Sequence, residues 1–91
     1  MGGNPWSGGT NTGKILDLST TTTFKQSDGT TFIINCTADA EFNSTGSFSD
    51  CFSITIYNVG THIITLDSTY DIEPGQRAVF AYDGVDFIGG V

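Results

Sequence analysis

The sequence predicts an all-β protein, a small antiparallel β-sandwich or β-prism of about seven strands with an extended N-terminal arm. Three observations carry that prediction. Short runs in which apolar and polar side chains alternate recur along the chain, most densely in 52–66 (FSITIYNVGTHIITL), and alternation is the signature of extended backbone with two unlike faces. Turn pairs punctuate the runs at Asp28-Gly29, Pro74-Gly75 and Asp83-Gly84. Charged residues make up 14% of the chain, against about 25% in an average domain. Thr, Ser, Asn and Gly are abundant in their place, as suits sheets whose solvent faces carry hydroxyls.

Taken in order, residues 1–13 (MGGNPWSGGTNTG) hold five glycines, one proline and one large aromatic, and form the Gly-rich arm. Asn4, Pro5 and Trp6 are its candidate contact residues. Either the arm is loosely draped, as Gly-rich termini are, or Trp6 anchors it in a pocket on another chain, as isolated Trp residues do at interfaces. Residues 14–91 form a single β-domain. Its first strand is Ile15-Leu16-Asp17-Leu18, followed by an extended Thr run at 20–23 and Phe24-Lys25-Gln26. Asp28-Gly29 reverses the chain. Residues 31–36 (TFIINC) then place Phe32, Ile34 and Cys36 on one face and Ile33 and Asn35 on the other. With apolar groups on both faces, this strand belongs in the interior of a sheet.

Residues 37–50 (TADAEFNSTGSFSD) are polar apart from Phe42 and Phe48, and are expected to form the long loop. Cys36 and Cys51 bracket it. Antiparallel neighbours would bring the two sulfurs within reach, and a bridge closing such a loop is worth about 3 kcal/mol in the chain-entropy model. Assembly in a reducing cytoplasm works against it. Residues 52–57 and 62–66 then read as the two arms of a β-hairpin, with Gly60 taking a positive φ between them. Residues 67–72 are an irregular connection, and Glu73-Pro74-Gly75-Gln76 fits a type II turn. In 76–82, Ala78, Phe80 and Tyr82 oppose Arg77, Val79 and Ala81; after Asp83-Gly84, 85–88 is the last strand.

Chemistry is sparsely represented. With one His and two Cys, no zinc spacing can be assembled within the chain, and no nucleophile motif stands beside His62. The carboxylates Asp67, Asp71 and Glu73, and the pair Asp83 and Asp86, lack calcium-loop spacing and read as turn residues. The glycines form neither a phosphate loop nor a dinucleotide fingerprint. No cofactor, metal site or enzymatic activity is expected. Ten acidic against three basic residues give a net charge of -7, which argues against a nucleic-acid partner. No apolar run is long enough to span a membrane, the first residues lack a signal peptide's basic and apolar regions, and Trp6 stands where N-myristoylation asks for Ser or Thr.

Five pieces of the chain follow one another in a familiar order: 29–35 (GTTFIIN), 54–60 (ITIYNVG), 63–66 (IITL), 72–76 (IEPGQ) and 80–84 (FAYDG). In this order they resemble a small β-domain of tailed-bacteriophage virion proteins, found in capsid decoration proteins, head fibres and parts of tail fibres. The similarity covers roughly residues 28 to 88. It implies a viral structural protein, commonly a homotrimer, carried on the outside of the virion after assembly in the host cytoplasm. Phe87 stands where the pattern often ends in Trp, and 37–50 has no counterpart in it.

The resemblance and the short chain together lead to an expected capsid decoration, or cement, protein. Its partners would be the major capsid protein and further copies of itself, with several arms on one trimer binding by avidity. Only thirteen residues precede the first predicted strand, which favours an independent small protein over a fibre tip behind a shaft. Because a thin domain of 91 residues buries only about 60% of the surface its unfolded chain exposes, apolar residues on both faces of 31–36 and 76–82 call for a second layer. Phe24, Phe80 and Phe87 are the candidate intersubunit contacts. The alternative is a receptor-binding or adhesion module whose loop 37–50 presents Phe42 and Phe48 to a host glycan or protein; the same two rings also suit a loop folded back over the sheet.

Overall fold

The structure, a computed structural model, describes residues 13–90. Asn4, Pro5 and Trp6, and with them nearly all of the expected arm, lie outside the described residues. Among the described residues the chain forms nine strands: β1 (Gly13–Leu18), β2 (Thr22–Phe24), β3 (Thr31–Cys36), β4 (Ala40–Ser44), β5 (Ser53–Asn58), β6 (Ile64–Leu66), β7 (Tyr70–Ile72), β8 (Arg77–Tyr82) and β9 (Phe87–Gly90). They lie in two sheets, one of five strands in the order β1-β3-β5-β8-β9 and one of four in the order β2-β4-β6-β7. The all-β, two-layered architecture is the one expected. The pairing is not.

The chain is a coil before it is a meander. β1, β3 and β5 are parallel neighbours in one sheet, and β2, β4 and β6 are parallel neighbours in the other. Each successive strand therefore crosses to the opposite layer, and three passes around the core stack on one another. Only the end of the chain turns antiparallel, through the pairs β6–β7, β5–β8 and β8–β9. The sheets are mixed, which corrects the expected antiparallel sandwich. β4 and β7 are the strands that the count of seven lacks: β4 lies within the expected loop 37–50, and β7 within the expected irregular connection.

Residues 52–66 show how the coil replaces the expected hairpin. β5 and β6 belong to different sheets, so they do not pair. Between them the Asn58 side chain accepts a hydrogen bond from Gly60 N at 3.0 Å and donates one to His62 O at 2.7 Å, holding the bend open across the core. Gly60 is required here for closeness, not for a positive φ: a Cβ on it would collide with the backbone N and O of Cys36. A tight hairpin does exist one element later. Asp67 and Ser68, with φ of 48° and 57°, form the two central residues of a type I′ turn, closed by Thr69 N donating to Leu66 O at 2.9 Å. The expected type II turn is also present, with Gly75 at φ 87° and Gln76 N donating to Glu73 O at 3.0 Å.

The space between the sheets is filled by the inward set of each strand, among them Phe32, Ile34 and Cys36 of β3, Ile54 and Ile56 of β5, and Ala78 and Phe80 of β8. One end of this core is aromatic. Phe24 stacks on Phe42 with ring centroids 4.5 Å apart, and both lie 5.2 Å from Phe32. Rings of this size remove well over 100 Å² each from water, and they come from three successive strands of the coil. Burial corrects the expected subunit contacts: Phe24, Phe80 and Phe87 are 2%, 1% and 2% exposed within a single chain, so they have no surface left to offer another.

Topology also separates the two cysteines. Cys36 ends β3, whereas Cys51 precedes the start of β5, where its N–H donates to Tyr82 O at 2.8 Å. Because β3 and β5 are parallel, these positions fall at opposite ends of the sheet, roughly 20 Å apart for strands of about six residues. Both thiols are free, Cys36 buried and Cys51 exposed. The bridge required antiparallel neighbours.

Candidate interaction surface

The two sheets present unlike outer faces. On the four-stranded sheet the outward side chains are polar and tied to one another: Thr65 Oγ1 donates to Asp71 Oδ1 at 3.0 Å, Asn43 Nδ2 to Glu41 Oε1 at 3.2 Å, and Ser68 Oγ to the same Glu41 oxygen at 2.9 Å. Such a face is at home in water. The five-stranded sheet carries a mixed set, in which Ile15, Ile33, Tyr57, Val79 and Ile88 stand outward among Asp17, Thr31, Asn35, Ser53, Thr55 and Arg77.

Strand register sorts that set into rows. Ile15, Ile33 and Tyr57 lie side by side across β1, β3 and β5, and Arg77 of β8 completes the row. The row beneath it runs Thr31, Thr55 and Val79. Beyond the end of β5, Val59 adds to the apolar area at 51% exposed, and Ile88 on β9 adds to it at 50%. Ile15 is the most open of the row at 67%, since β1 is the outermost strand. Exposed apolar side chains gathered on one face, with Ile33 half-buried between Ile15 and Tyr57, make this sheet the candidate interaction surface.

Charge flanks the row at both margins. Asp17 on β1 is exposed and accepts a hydrogen bond from Asn35 Nδ2 at 3.0 Å. Arg77 on β8, three strands away, is exposed and makes no ion pair among the described residues. The row thus has Ile33 and Tyr57 at its middle, with an acidic residue at one margin and a basic one at the other.

The remaining sequence candidates disperse. Phe42 sits in β4 and is 1% exposed. Phe48 is half-buried, with its ring 5.0 Å from Phe87 and 5.5 Å from Tyr82. Both rings cover the core, so the receptor loop loses the aromatics it relied on. His62 is exposed, its Nδ1 3.0 Å from Thr61 Oγ1. Asp67 is structural: its carboxylate accepts from Ser44 N at 2.6 Å and from Ser44 Oγ at 2.9 Å, pinning β4 to the β6–β7 turn. Asp83 folds the turn before β9 by accepting from Asp86 N and Val85 N, each at 2.8 Å, and these two donors hold its carboxyl below the usual carboxylate range. Burial pushes the Cys36 thiol up. Among the described residues, no three of His, Cys, Asp or Glu gather as a metal ion would need.

Sequence reasoning noticed that 31–36 and 76–82 are apolar on both sides but assigned the excess to inward phenylalanines. The outward apolar residues follow from the second parity of the same strands: Ile33 between Phe32 and Ile34, and Val79 between Ala78 and Phe80. Fold and surface together define a two-layered β-protein whose larger sheet carries exposed apolar side chains on its outer face. The chain matches no family model, no curated protein and no solved structure.

Proposed function

We propose that this protein is a structural component of a bacteriophage virion, a capsid decoration or cement protein that binds the outside of the major capsid lattice as an oligomer. One observation carries the reading: a domain whose other face is polar and hydrogen-bonded keeps Ile15, Ile33, Tyr57 and Val79 on the outside of its larger sheet. A surface of that kind is suited to lasting contact with protein. The virion setting comes from the resemblance over residues 28 to 88. In this reading the segment containing Asn4, Pro5 and Trp6 attaches each copy to the lattice, and multiple copies give avidity.

The test is co-sedimentation of the purified protein with capsids that lack it. Saturable binding that is lost when residues 1–12 are deleted supports the reading. Protein that stays in the supernatant at micromolar concentration overturns it, and deletion without effect overturns the role of the arm.

A further inference from the structure

We propose that the outer face of the five-stranded sheet is a self-complementary interface for a second copy of this chain, related by a two-fold axis that runs parallel to the strands between β3 and β5. The proposal deepens, and rests on, the oligomeric part of the reading above; attachment to a capsid does not enter it.

Size favours a partner as broad as the domain itself. The four strands that such an axis superposes, at about 4.8 Å spacing and with six residues at about 3.3 Å rise, make a shared face of roughly 19 by 20 Å, on the broad side of a molecule measuring 31 × 30 × 20 Å. Two such sheets packed face to face at about 10 Å would form a further sandwich layer.

Charge chooses the partner and the axis. Of the five strands, the four in the order β1-β3-β5-β8 are divided evenly by a line between β3 and β5, and β9 projects beyond them at one edge. Rotation about an axis along that line sets β3 over β5 of the second copy, and β1 over its β8. Ile33 then meets Tyr57 of the other copy, since the two share a register row. Ile15 meets the aliphatic stem of Arg77, and the guanidinium comes within reach of Asp17, one outward position along β1. The pairing occurs twice by symmetry. Within one chain Asp17 and Arg77 stand three strands apart, about 14 Å, and cannot satisfy each other. The alternative axis, across the strands through the same row, would stack Arg77 on Arg77 and leave both Asp17 residues without a cation. A three-fold ring is disfavoured for a related reason: it needs two different complementary patches, whereas one self-matching face closes as an isologous pair.

The experiment is sedimentation velocity on the full chain at micromolar concentration, with circular dichroism to confirm folding of each variant. The expected species has twice the 9.6 kDa mass of one chain. Asp17→Arg and Arg77→Asp should each weaken the dimer at least tenfold, and the double exchange should restore it to within about threefold, a rescue that only an Asp17–Arg77 contact between copies produces. Ile33→Lys should give a folded monomer; Ile15→Lys, at a site 67% exposed, is the milder variant and should do the same by facing Arg77. A trimer, a monomer, or a dimer indifferent to these substitutions overturns the proposal. So does a full-length monomer that dimerises once residues 1–12 are removed, because the occupant of the face is then the chain's own arm. A dimer that passes these tests yet ignores capsids supports this interface and sinks only the virion reading.

Discussion

Asn58 Nδ2 lies 2.9 Å from the carbonyl oxygen of Ile72, a hydrogen bond that joins the last residue of β5 to the last residue of β7 across the two sheets. Asn58 is fully buried, among inward positions otherwise held by Ile, Leu and Phe. Its amide also donates to His62 O, its side-chain oxygen accepts from Gly60 N, and its own backbone pairs with Gln76 O and Gly75 N. One side chain therefore sets the crossing from β5 to β6 and the return of the chain toward β8. Every polar atom it brings into the core is satisfied, which is the condition under which a buried amide adds specificity without a desolvation penalty.

Replacing Asn58 with Leu should destabilise the fold by about 3 kcal/mol or more, since His62 O, Ile72 O and Gly60 N would all lose their side-chain partner. A polar-to-Leu change at the exposed Ser47 should move stability by less than about 0.5 kcal/mol. Urea denaturation of both variants checks the contrast; equal effects would remove Asn58 from its role as a clasp.

The type I′ turn yields a prediction of opposite sign at adjacent residues. Ser68→Gly should stabilise by about 0.5–1 kcal/mol, because glycine relieves the left-handed backbone and the lost contact to Glu41 is exposed. Asp67→Gly relieves similar backbone strain but gives up the bonds to Ser44 N and Oγ, and should destabilise by about 1–2 kcal/mol. Thermal midpoints of the two variants decide the matter.

The two free thiols should differ in accessibility to reagents. Cys51, exposed at the surface, should react with a disulfide reagent in the native state, while Cys36 should react only on unfolding, since burial both shields it and disfavours its thiolate. Mass spectrometry of the oxidised, purified protein should find no intramolecular bridge. A native-state loss of both thiols without reductant would contradict the parallel pairing of β3 and β5.

Asp83 links stability to acid. Its carboxyl is held below its ordinary range by the N–H groups of Asp86 and Val85, so its contribution is present above the unfolded carboxylate range and is lost as pH falls through the lower folded value. Asp83→Ala should therefore flatten the dependence of the urea midpoint on pH between about pH 5 and about pH 2, with little change in slope nearer neutrality. An unchanged acid slope would remove this carboxylate from the linkage.

For β3, β5 and β8 the alternation of side chains determined which residues lie in strands and which of them point inward: Phe32 and Ile34, Ile54 and Ile56, and Ala78 and Phe80 are buried as their parity requires. Turn chemistry likewise located Pro74-Gly75, where the conformation is encoded within four residues. The neighbour of each strand was decided only in three dimensions, because a parallel and an antiparallel partner impose the same alternation on a strand. That choice put Cys36 and Cys51 at opposite ends of the sheet, and turned Gly60 from a hairpin residue into a point of close approach to Cys36. Phe24 and Phe87 could not be read as core or contact from sequence, since a ring gains as much from one apolar surrounding as from another; the coil closed around them and left Ile15, Ile33 and Tyr57 outside.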